Sequence, residues 1–165
     1  MKTMPFFRVL AFILAATLFG GAVNAQGNQD EDIRRAKVFQ IYLKSQAAVL
    51  ELLEASTEYN QARAAGDQTA MSDAASEMLE SSTVATYWAN VLDQRVQAEA
   101  QNPEAKALSS EYREVNVRAY SNLAYFVTTH DLEELNSRMD NEVADSLNQL
   151  ALLVRRIYGY VQEQW

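Results

Sequence analysis

Between Gly27 and Gly159 the chain has one glycine, Gly66, and one proline, Pro103. These two residue types most readily end helices and strands, so a stretch this poor in them folds into a few long elements. The spacing of the apolar residues says which kind. Val38/Phe39, Tyr42/Leu43, Val49/Leu50 and Leu52/Leu53 recur at steps of four, seven and three positions, one or two turns of an α-helix with one broad buried stripe. That pattern predicts a first helix over about 31–65, ending at Gly66.

A second helix is predicted over 67–101, opened by Asp67 and carrying Met71, Ala74/Ala75, Met78/Leu79, Ala85, Trp88, Leu92 and Val96. Asn102 is a good N-cap and Pro103 a good first helical residue, which starts a third helix over 103–129 with Leu108, Tyr112, Val115, Ala119, Leu123 and Phe126 on its stripe. The third boundary has no glycine or proline. There Asp131, with Glu134 three residues on, has the form of a capping box, and a stripe from Leu132 through Met139, Val143, Leu150 and Ile157 to Val161 predicts a fourth helix over 131–162. Without that cap, helices three and four would run on as one bent rod. Short connections make successive helices neighbours, so the expected fold is all-α: an elongated antiparallel up-down four-helix bundle, its rods about 40–50 Å long.

Residues 1–25 read as a cleaved signal peptide. Lys2 and Arg8 precede an apolar run from Val9 to Phe19, and Val23-Asn24-Ala25 has the small-x-small cleavage form. The run is shorter than the ~20 residues that span a bilayer, and no cysteine follows it to carry a lipid. This leaves 26–165 as a single helical domain without a stable membrane anchor, periplasmic or secreted, and a bacterial envelope protein by expectation. With no cysteine at all, its stability must come from the apolar core.

The chain carries a formal charge of −8, and because the signal segment contributes Lys2 and Arg8 with no acidic residue, the remainder is at −10. Such an acidic surface repels phosphate backbones, which argues against nucleic acid as a partner. The inventory also argues against most enzymes. With one histidine and no cysteine, a Cys-His site is excluded, and no glycine-rich nucleophile turn or phosphate loop occurs. His130, beside Asp131, Glu133 and Glu134, is the one weak metal candidate, and the same run is what a capped helix N-terminus asks for. No cofactor is predicted. Noncovalent haem would need His130 with Met71 or Met139 as axial ligands, and methionine on an apolar stripe ordinarily fills core.

Two places suit recognition. The second helix has an Ala/Ser-rich face around Met71, Met78 and Trp88, whose small residues permit close helix approach or leave a shallow groove for a partner helix or apolar ligand near Met78, Tyr87 and Trp88. Threading the helices up and down also gathers Tyr42, Tyr112, Tyr158 and Tyr160 toward one end, where tyrosines either close the end of the core or form a ligand mouth or protein interface. The expectation is a non-enzymatic helical bundle that binds an unknown protein partner, as an adaptor, chaperone-like or structural protein. The alternative is a carrier of a small apolar ligand or haem in the bundle interior. Homo-oligomerisation is left open by the sequence.

Overall fold

The computed structural model describes residues 29–129 and 131–163. The expected signal peptide, residues 1–25, and the weak metal candidate His130 therefore lie outside the described residues. From Arg34 onward the described residues form one compact unit.

Among the described residues the fold is all-helical, with five helices: α1 (Gln29–Ala65), α2 (Gln68–Glu99), α3 (Pro103–Thr129), α4 (Leu132–Met139) and α5 (Glu142–Glu163). No described helix is long and apolar enough to cross a membrane. The helix ends follow the chemistry of the caps. Gly66 sits at φ +70°, a left-handed conformation that glycine adopts without strain. Its N–H donates to the Arg63 carbonyl at 3.1 Å and that of Asp67 to Ala62 at 3.0 Å, the paired bonds of a Schellman stop. Asp67 at once caps α2 by accepting from the Ala70 N–H. Asn102 caps α3 through the Glu104 N–H at 2.8 Å, with Pro103 in the first position.

The third boundary exists, so α3 and α4 do not fuse. Asp131 accepts from the N–H groups of Glu133 and Glu134, both at 3.0 Å. Only half of the capping box forms, because the Glu134 carboxylate accepts from Arg138 Nε at 2.9 Å.

The expected fourth helix, 131–162, is corrected: it breaks at Asp140-Asn141 into α4 and α5. Asp140 has φ −77° and ψ −13°, and the Asn141 N–H turns back to the Arg138 carbonyl at 3.2 Å. The Asn141 side chain donates to Ser137, and its carbonyl accepts from Asp145 to open α5. Aspartate and asparagine compete with the helix for backbone bonds. The apolar stripe crosses the break in phase, from Met139 to Val143, which is why periodicity does not mark it.

The pairs α2/α3, α1/α4–α5 and α3/α5 run antiparallel. On α2 and α3, Thr86 Oγ1 donates to the Asn116 carbonyl at 3.1 Å and Ser109 Oγ to Asp93 at 2.7 Å, so one helix advances as the other recedes. On α1, Tyr42 reaches the Val154 carbonyl of α5 at 2.8 Å and Tyr59 reaches Asn136 of α4 at 2.9 Å. Arg156 pairs with Glu111 and Tyr160 with Glu104, tying α5 to α3. The core between them includes Val49, Leu52, Met78, Leu92, Leu123, Leu135, Val143 and Leu150.

Candidate functional site

The interior tyrosines are structural. Tyr42, Tyr59 and Tyr112 are fully buried, which obliges each hydroxyl to find a partner. Tyr42 donates to Val154, Tyr59 to Asn136, and Tyr112 shares a 2.8 Å hydrogen bond with Ser45. Burial pushes the Tyr112 phenol up to about 12, and raises that of Tyr42 well above the usual tyrosine range. Of the two readings of Tyr42 and Tyr112, closing the core or forming a ligand mouth or interface, their burial bears out the first. Only the rim of that aromatic end reaches solvent: Tyr158 packs its ring 6.4 Å from Tyr42, and Tyr160 donates to Glu104. That carboxylate raises the Tyr160 phenol.

A second polar group lies between α2 and α3. Asp93 is buried and accepts from Ser109 at 2.7 Å, Ser110 at 3.1 Å and Gln97 at 3.1 Å, while Arg113 Nε stands 3.2 Å from its second oxygen. Gln97 also donates to the Lys106 carbonyl. One carboxylate oxygen thus takes all three hydrogen bonds while the other faces Arg113 Nε as an ion pair without hydrogen-bond geometry, and the group clamps two helices in register. One turn along α3, Asn116 donates to the Tyr112 carbonyl, and its Oδ1 is buried without a partner.

Of the two readings of the Ala/Ser-rich face of α2, close packing is the one the burial bears out. Ala74, Ala75, Ser81, Ser82, Ala85 and Ala89 are buried along with Met78, so the small residues let α2 approach the other helices closely. They do not form an open groove. What α2 shows to solvent is a different stripe: Asp73, Glu77 and Glu80, all exposed, then Val84 at 41% and Tyr87 at 60% exposure. These positions follow one another every three to four residues, so they share one face. Tyr87 meets Trp88 edge-on, with ring centroids 5.0 Å apart, and Lys44 Nζ of α1 stands 4.4 Å from the Trp88 ring. A cation over an indole at an exposed site favours one ring orientation by about 0.5–1 kcal/mol, so Tyr87 and Trp88 form a braced aromatic surface.

Tyr87 and Trp88 are thus the sequence-predicted residues that the fold brings together at the surface. Missed by the expectation were Val84 and the carboxylates beside it. A signal was present: from Ser45 to Gln94 there are eight carboxylates and one basic residue, Arg63. Arg63 itself is committed elsewhere, bound by both nitrogens to Asp140 at 2.6 and 2.8 Å, which holds the Asp140 carboxyl below its usual range. No ion pair joins Asp73, Glu77 or Glu80 to a basic group among the described residues.

Among the described residues no group of three or more His, Cys, Asp or Glu side chains is arranged to hold a metal ion. No protein-family model matches the chain, and no curated protein or solved structure is significantly similar to it.

Proposed function

We propose that the five helices assemble as an antiparallel up-down four-helix bundle, with α4 and α5 sharing the fourth position, and that this bundle works by binding another protein. The contacts Tyr42–Val154, Tyr59–Asn136, Thr86–Asn116 and Arg156–Glu111 support the bundle. The signal-like start supports export to the periplasm or beyond. A non-enzymatic role follows from the same residue inventory, one histidine and no cysteine.

The observation that carries the binding role is Tyr87. A tyrosine 60% exposed, braced edge-on by an indole that Lys44 helps to orient, offers large contact area at little entropic cost. The interior gives the carrier reading less support, since Met78 is fully buried and the core tyrosine hydroxyls are already bonded. Chain 26–165 immobilised on resin should retain a specific protein from envelope extract, and Tyr87→Ala should release it. Recovery of the same protein by both forms would overturn this assignment of the surface.

A further inference from the structure

The chemistry of the α2 stripe indicates what kind of protein would seat on it. Its half toward the Gly66 turn is acidic, with Asp73, Glu77 and Glu80 exposed, and its other half is apolar, with Val84 and Tyr87. The adjoining stretch of α1 continues the charge through exposed Glu51, Glu54 and Glu58. Lys44 over Trp88 fixes α1 beside α2 here, and the Gly66 turn makes the two antiparallel, so both carboxylate runs lie on the same side of that contact. Two like-charged runs side by side repel, and a bound cation relieves this.

We infer that this stripe docks a cationic amphipathic helix from a partner protein, its apolar residues on Val84 and Tyr87 and its lysines or arginines on Glu77 and Glu80. The inference rests on the protein-binding reading and adds the partner's chemistry. An antiparallel or parallel helix lying along α2 presents side chains at the same three-to-four residue spacing as the stripe. It meets apolar surface and carboxylates in succession along one face. An anionic lipid surface is repelled by the same six carboxylates.

The test uses chain 26–165 and a synthetic helix whose docking face carries leucines along one half of its length and lysines along the other, with a glutamate-for-lysine version as comparison. Binding is followed by calorimetry and by indole fluorescence. The lysine helix should bind, more weakly as salt rises, and the glutamate helix should not. Glu77→Gln with Glu80→Gln should weaken binding about fivefold, and Tyr87→Ala about tenfold. Glu133→Gln with Glu142→Gln removes the same charge elsewhere and should change affinity less than about twofold. Equal weakening by the two glutamate pairs would reduce the effect to net charge and overturn the inference. So would self-association in sedimentation that Tyr87→Ala abolishes, because a second copy would then cover the face. If Tyr87→Ala loses the envelope partner while the lysine helix fails to bind, the protein-binding reading stands and the cationic partner falls.

Discussion

Asp93 illustrates how a single charged side chain becomes part of a core. It is buried, yet its oxygens meet two serine hydroxyls, a glutamine amide and the Arg113 guanidinium. Breaking such a group by removing one partner costs more than the group contributes, because the charge left behind stays desolvated. Arg113 is only partly covered, at 40% exposure, so solvent screens some of that loss. Arg113→Met, which keeps the stem packed, should therefore destabilise by about 1–3 kcal/mol in urea unfolding. The double variant Arg113→Met with Asp93→Asn should recover part of it. If the single variant is neutral, the serines and Gln97 alone hold Asp93 and the ion pair adds nothing. The sequence does not disclose this cluster, since Asp93, Ser109 and Arg113 become neighbours only once α2 and α3 pair in one particular register.

Individual helices were more legible, and the reasons differ from end to end. The two stops marked by a breaker, Gly66 and Pro103, are where the chain turns, because a left-handed residue and a missing N–H act locally and need no tertiary help. The Asp131 cap was legible for the same reason: its carboxylate bonds N–H groups two and three residues away. Asp140-Asn141 was not, because its turn is supported from α1, where Arg63 grips Asp140 with both nitrogens. A contact between residues 77 apart leaves no trace in a local pattern. The candidate surface divides in the same way. Tyr87 and Trp88 could be singled out by residue type, but which side of α2 faces solvent depended on the other helices, as did whether the small residues pack closely or line a groove.

The two described glycines test how local these signals are. Gly66 has open space around a would-be Cβ but a positive φ, whereas Gly159 is helical with open space. Gly66→Ala should cost about 1–2 kcal/mol from backbone strain alone. Gly159→Ala should gain about 0.5–1 kcal/mol, because alanine has less chain entropy to lose on entering a helix. Thermal unfolding of the two variants checks both signs. A loss on Gly159→Ala would mean that α5 is distorted at this point.

For the molecule as a whole, the interior tyrosines take the place that disulfides or larger aliphatic layers fill elsewhere. The chain has no cysteine, and three of its largest fully buried side chains are Tyr42, Tyr59 and Tyr112. Each links α1 to another helix by a hydroxyl that must stay neutral to remain buried. This gives the fold a specific weakness in alkali. A phenol whose pKa is raised on folding contributes stability that is fully present below the unfolded value, about 10, and is lost as pH rises toward the folded value. For Tyr112 the loss spans the range from about 10 up to about 12, and for Tyr42 it extends further, with burial the main cause in both. Each tyrosine should remove about 1.4 kcal/mol of stability per pH unit across its window. Urea unfolding followed by circular dichroism at several alkaline pH values, with phenolate absorbance in parallel, should show stability falling more steeply than a single group allows. Tyr42→Phe with Tyr112→Phe should lower stability at neutral pH by about 1 kcal/mol per lost hydrogen bond. It should also flatten the alkaline slope. If the slope is unchanged in that variant, repulsion among the surface carboxylates and newly neutral lysines governs the alkaline limit, and the buried phenols are bystanders to it.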